Sequence, residues 1–153
     1  MILEKIHQLA KSGYVDFEFS DNNDISNENL HLLHRIIVSP HVSFALLILQ
    51  KTKILHQLIP EFSDVVNLTN EKIFGPNKHL FKEIWPHTIQ VVSQTPSELH
   101  LRWAALFHDL GKAKTFSIKS GKVTFHKHEH YSAKIFSNFN YKTRIFTKRQ
   151  YNN

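Results

Sequence analysis

The sequence predicts a mainly helical fold with one small β-hairpin, on three observations. Hydrophobic residues fill 41% of the 153 positions and only four are Gly, so the chain has apolar surface for a core and little of the residue that breaks helices. Apolar residues recur at three- and four-residue spacing in several stretches. One segment, Thr115 to Ile118 and Lys122 to Phe125, alternates on both sides of Ser120-Gly121 as the arms of a hairpin do.

Taken in order, Ile2, Leu3, Ile6, Leu9 and Ala10 predict a short amphipathic helix over residues 2–11, ending near Ser12-Gly13. The acidic, Asn-rich stretch 16–29 reads as a loop. Leu30, Leu33, Ile36 and Ile37 mark one side of a helix that Ser39-Pro40 interrupts, because proline disfavours helix in the residue before it. Residues 41–50 and 52–58 predict two helices whose near-continuous hydrophobicity implies burial between neighbours. A break follows at Pro60-Glu61-Phe62, then a less regular segment as far as Gly75-Pro76-Asn77, then a helix from about Phe81 to Ser93. Thr95-Pro96-Ser97-Glu98 predicts a capping box, with Thr95 as N-cap and Glu98 as the third helical residue. The helix it opens carries Leu99, Trp103, Leu106 and Phe107 and ends at Gly111, a residue suited to the left-handed position after a helix. A last helix is expected from near Lys127 to about Asn138. Two units are expected, a helical segment over 1–59 and a domain over 60–153.

Charge and histidine narrow the function. Residues 101–153 hold eleven Lys and Arg against two Asp and Glu, a balance of +9, whereas the first fifty residues are acidic. Such a block suits phosphate-bearing partners, although a solvated basic face is about as common. Cysteine is absent, so neither a disulfide framework nor a thiolate zinc site is available. The longest apolar run, Phe44 to Leu49, is far short of a membrane span, and the N-terminus lacks the apolar core of a signal peptide. A cytoplasmic protein is therefore expected. Twelve histidines are an unusual supply of neutral metal ligands.

His108 and Asp109, at the end of the Leu99 helix, are adjacent candidate ligands. His87 is a third, since an antiparallel helix pair would leave it offset from His108 by about five residues, roughly 7–8 Å. Imidazole and carboxylate with open positions suit Mg²⁺, Mn²⁺, Co²⁺, Ni²⁺ or Fe²⁺ better than a closed structural zinc site. Trp85 and Trp103 are expected in the core, and His31, His34, His41 and His56 at its edge or on the surface. His130 is expected to face solvent.

The stretch LRWAALFHDLGKAKTF…GKVTFHKHEHYSAKIF, residues 101–136, resembles the HD region of the bacterial tRNA nucleotidyltransferase and poly(A) polymerase family. KEIWPHTIQVV, residues 82–92, resembles the segment with that family's first HD histidine, and LLILQKTKILHQLIPEF, residues 46–62, its helical neck and body. The resemblance implies an HD-domain-like helical bundle with a small hairpin, preceded by neck- and body-like helices. It places His87 as the first histidine, His108 and Asp109 as the naming dyad and His128 as a later histidine, with His126 a variant of the same segment. In HD hydrolases such a set holds one or two divalent ions that polarise a phosphoryl oxygen and activate water. His108, Asp109 and Lys112 are then the expected catalytic residues, with Lys112 and Lys114 placed to contact phosphate. The substrate implied is a nucleotide or the phosphate of an RNA such as tRNA.

Two departures accompany the resemblance. The pattern's distal Asp has no counterpart, Asp109 being the last aspartate in the sequence, and no Gly-Gly-x-x-Arg-Asp segment or paired Asp-x-Asp precedes residue 26. Nucleotide addition is accordingly not expected of this chain, and divalent metal is expected to bind weakly. A phosphohydrolase, an RNA-binding accessory module and a degenerate fragment remain open. Tyr141, Phe146 and Tyr151 among Lys142, Arg144, Lys148 and Arg149 offer a possible platform for single-stranded RNA.

Overall fold

The computed structural model describes residues 2–14 and 30–147, so the predicted acidic loop and the last six residues, Tyr151 among them, lie outside the described residues. The element order is α1 (Ile2–Ser12), α2 (Leu32–Ile37), α3 (Val42–Lys51), α4 (Ile54–Leu58), α5 (Phe62–Asn67), α6 (Asn70–Phe74), α7 (Ile84–Gln94), α8 (Leu99–Phe107), α9 (Lys112–Thr115), β1 (Phe116–Lys119), β2 (Lys122–Phe125) and α10 (His128–Thr143). The fold is mainly helical with one antiparallel hairpin, pairing Phe116 with Phe125 and Lys119 with Lys122. Ser120 and Gly121 turn it with φ of 51° and 75°, the two left-handed residues that a tight hairpin requires. None of the described helices is long and apolar enough to cross a membrane.

α1 packs on α2 and α3, α3 on α7, and α7 on α8, which in turn meets α10. One hydrophobic cluster runs through them from Ile2 to Phe146, with Trp85 and Trp103 in it. Phe146, offered by the sequence as a stacking surface, is buried in this cluster, whereas Tyr141 is exposed with the Arg144 guanidinium over its ring.

Several boundaries differ from the sequence expectation. The irregular stretch before Gly75 contains α5 and α6, whose few residues are too short to show a period. α10 runs five residues past Asn138, and its buried Ser132, Ile135 and Phe139 keep one face packed along its length. α3 is buried on one side only, because Phe44 and Leu47 point outward. The capping box at Thr95 does not form. Thr95 instead closes α7, its hydroxyl donating back to the Val91 carbonyl at 2.6 Å, and α8 starts only after Glu98, whose side chain caps nothing.

Tertiary hydrogen bonds explain that displaced start. Arg102, buried, donates through Nε to the Thr95 carbonyl at 3.1 Å and through Nη1 to the Ile37 and Ser39 carbonyls at 3.0 and 2.9 Å. It satisfies the carbonyls at the end of α2 and holds the α7–α8 connection against them. The Ser97 hydroxyl, which donates to the Val38 carbonyl, fixes the same junction.

His34 makes a second tie. Its Nε2–H donates to the Ile145 carbonyl at 2.8 Å, and its Nδ1 accepts the Trp103 indole N–H at 3.0 Å, so both ring nitrogens are used by the neutral form. Burial lowers its pKa, only partly offset by the Ile145 carbonyl.

Two outcomes follow from these ties. Arg102→Ala leaves three carbonyls short of a donor and lowers unfolding free energy by about 2–4 kcal/mol in denaturant titration, with an unchanged m-value. A histidine whose folded pKa lies below its unfolded value of about 6.5 costs stability as pH falls through that value, because the unfolded chain then binds more protons. The thermal midpoint therefore falls between pH 7 and pH 5, and His34→Gln, though less stable at pH 7, shows a shallower fall.

Candidate metal centre

The site lies where α7, the turn after α8, α9 and the start of α10 meet. α7 brings His87 with Pro86 in the first turn, where a missing N–H costs nothing. The approach to α7 is held by buried Asn70, whose Oδ1 accepts the Leu80 and Phe81 amides at 2.9 and 3.2 Å, while Glu83 Oε2 accepts the Asn70 amide at 2.9 Å. Asn70 was invisible as a positioning residue in the sequence, since a single Asn in a polar stretch carries no periodic signal.

His108 and Asp109 lie just past α8, in the tight turn that continues into α9. Gly111 is there for a different reason from the one its position predicts. Its φ is −70°, a right-handed value open to any residue, so it is not a left-handed cap. What it lacks is bulk. A Cβ at Gly111 would overlap the His128 carbonyl oxygen and lie 2.6 Å from the Ser132 amide nitrogen. The backbone of the turn therefore sits directly on the first turn of α10. Ser132 locks the contact, accepting the Gly111 amide at 2.8 Å and donating to the His108 carbonyl at 2.9 Å.

That contact delivers His128 to the same carboxylate. Asp109 is 4% exposed. Its Oδ2 lies 3.1 Å from His108 Nε2, 3.0 Å from Lys112 Nζ and 3.7 Å from His87 Nε2, while Oδ1 faces His128 Nε2 at 3.2 Å. The structure thus brings His87, His108, Asp109, Lys112 and His128 together. His87, His108 and Asp109 each offer one ligand atom within 4.8 Å of the others. His128 approaches the opposite carboxylate oxygen instead, and His126 and His130 are exposed. Phe125 holds two of these groups, its carbonyl meeting His128 Nδ1 at 3.2 Å and its ring lying 5.3 Å from Lys112 Nζ.

The electrostatics favour an ionised carboxylate. Burial opposes the charge of Asp109, but hydrogen bonds from His108 and Lys112 outweigh it and hold its carboxyl well below the usual carboxylate range. The hydrogen bond to Asp109 raises the pKa of His108, against burial, whereas burial and Lys82 lower that of His87.

The donor set fits a divalent ion. The Ala105 carbonyl lies 2.6 Å from His108 Nδ1 and, able only to accept, holds a proton there, so Nε2, which donates to Asp109 in the protonated ring, is the nitrogen a metal would take once that proton leaves. The Phe125 carbonyl faces His128 Nδ1 in the same way. Backbone carbonyls behind metal-binding imidazoles orient them in this way. His87 is less complete, because its Nδ1 is buried without a hydrogen-bond partner.

Gly111→Ala pushes α10 away from the turn. It is expected to cost about 3 kcal/mol, at the upper end for an overpacked site, and to separate His128 from Asp109, read as the loss of pairwise contacts between their signals in NMR.

Residues 85–149 match the HD domain family. The chain is 30% identical over 110 residues to an A-adding tRNA nucleotidyltransferase of Deinococcus radiodurans and 33% identical over 110 residues to a CC-adding tRNA nucleotidyltransferase of Thermus thermophilus. Each match takes in 67% of this chain and 24% of the relative, so the chain spans about a quarter of the length of these proteins. No solved structure matches it. The segment that matches the HD domain family begins at Trp85, just before His87, and takes in the turn and α10, so it spans every residue of the cluster.

Proposed function

We propose that the chain is an HD-type, metal-dependent phosphohydrolase domain acting on phosphate esters of nucleotides or RNA ends. The observation that carries this reading is the meeting of His87, His108 and Asp109 ligand atoms within 4.8 Å around an ionised, buried carboxylate. His87, His108 and Asp109 would hold a divalent ion such as Mg²⁺, Mn²⁺, Ni²⁺ or Co²⁺, with His128 in reserve on the other carboxylate oxygen. Such an ion supplies Lewis acidity toward a phosphoryl oxygen and a water acidified for attack.

The protein's own groups divide the remaining work. Asp109 fixes the charge of the site, and the Ala105 carbonyl fixes the orientation of His108. Lys112, held on Asp109 and over the Phe125 ring, carries its ammonium at the rim of the cluster, where a phosphate oxygen can reach it. His128 Nε2, 3.2 Å from Asp109 Oδ1, can hold or release a proton beside the same position. In this proposal residues 60–153 form the HD-type unit, and residues 1–59 correspond to the neck- and body-like helices. The names of the relatives make tRNA or another RNA the natural source of the phosphate.

Titration of Mn²⁺ into the protein by calorimetry tests the reading. Three protein ligands with one formal negative charge predict weak but measurable binding, reduced at least about tenfold in His108→Ala and in Asp109→Ala and less in His128→Ala. Equal binding by wild type and His108→Ala would mean that packing alone retains these residues. A non-catalytic, RNA-binding role, favoured by the +9 balance of residues 101–153, would then take the place of the hydrolase.

A further inference from the structure

Beside the metal centre, on the other side of His108, lies a cavity of about 440 Å³ between α8 and α10. Its volume falls within the range of small-molecule sites. Four aromatic rings wall it: Trp103 and Phe107 from α8, Phe136 from α10, and Phe146. They hold one another nearly edge to face, Phe107 against Phe136 at 5.1 Å and Trp103 against Phe146 at 5.6 Å. Ala104 and Ala133 line it with small side chains that leave the space open.

The polar groups on its boundary are few, and apart from exposed His100 and Glu129 they are already committed. Trp103 gives its indole N–H to His34, so it offers the cavity only its π surface. The Ser132 hydroxyl is occupied by Gly111 and His108. Glu129, whose side chain is 74% exposed, supplies the one formal charge among the lining residues. Its carboxylate disfavours a phosphate beside it and attracts N–H donors. His108 lines the cavity while its Nε2 faces Asp109. A ligand with a flat, uncharged, amine-bearing ring in the cavity would therefore place an attached phosphate toward the cluster, where Lys112 supplies positive charge.

We propose that this cavity is a nucleobase subsite, which takes the amino-bearing base of a nucleotide whose phosphate ester lies at the His87–His108–Asp109 cluster. The inference rests on the hydrolase reading for the phosphate end but not for the base end. Stacking and edge contacts with aromatic side chains recognise any base face, and Glu129 favours bases with an exocyclic amine.

The experiment uses the full chain in chelator, with adenosine as a probe that has a base but no phosphate. The two indole N–H signals are assigned with Trp85→Phe, which removes one of them. Adenosine is expected to shift the Trp103 signal and leave that of Trp85 in place. Ala133→Phe, which fills the cavity, is expected to weaken adenosine at least about tenfold, the loss of roughly one base–aromatic contact. Glu129→Ala, an exposed change that leaves folding intact, is expected to narrow the preference for adenosine over purine riboside, which lacks the amine. An unmoved Trp103 signal overturns the proposal, as does an unchanged shift in natively folded Ala133→Phe or a wild type blind to the amine. Inorganic phosphate with Mn²⁺ forms the second arm. Phosphate binding without adenosine binding leaves the hydrolase reading standing and removes the base subsite, and the reverse result leaves the subsite and removes the hydrolase.

Discussion

A carboxylate that is 4% exposed remains ionised only where donors surround it, because the loss of hydration costs several kcal/mol if nothing replaces the water. Asp109 meets that condition through Lys112 Nζ, His108 Nε2 and His128 Nε2 at 3.0, 3.1 and 3.2 Å, with His87 Nε2 farther off at 3.7 Å. The rest of the architecture can be understood as the means of bringing these four to one place. Removing the charge would leave cationic and polar side chains facing each other without a counter-charge.

The tightest mechanical requirement is the contact between the Gly111 turn and α10. Backbone lies on backbone there, and the Ser132 hydroxyl ties the two together through the Gly111 amide and the His108 carbonyl. Because α10 is docked by its backbone, the position of His128 depends on the helix axis rather than on a flexible side chain. The hairpin supports the other flank. Phe116 and Phe125 pack with Phe81, and Phe125 presents both its ring to Lys112 and its carbonyl to His128. A segment of eight paired residues with little core of its own thereby positions two groups at the cluster.

A second set of interactions joins α8 to α2 and the segment that follows it. Arg102 and His34 both sit at the meeting of α2 and α8, and both are satisfied by backbone carbonyls and an indole rather than by carboxylates. Neutral acceptors bring no second buried charge, so the junction depends on geometry more than on Coulomb attraction. The same α8 carries Trp103 toward the cavity on one side and leads into His108 and Asp109 at its end, which makes it the element shared by the core, the cavity and the cluster.

The amino-acid sequence by itself determined the helical class, the hairpin at Ser120-Gly121 and the identity of His87, His108, Asp109 and Lys112 as residues of interest. Those signals are local: apolar periodicity, the Ser120-Gly121 turn pair, and the His108-Asp109-Leu110-Gly111-Lys112 run, with His87 recognised in a second short segment, residues 82–92, of the same resemblance. Tertiary structure alone decided where α8 begins, since Arg102 and Ser97 reach back to α2 and override a capping sequence that Thr95 would otherwise have used. It alone decided that Gly111 serves close approach rather than backbone handedness, because the atoms that exclude a Cβ belong to residues 128 and 132. The side of Asp109 that His128 reaches, the role of Asn70 and the aromatic cavity were illegible for the same reason. Each depends on atoms ten or more residues apart in the chain, and their separation in space is fixed only when the helices have packed.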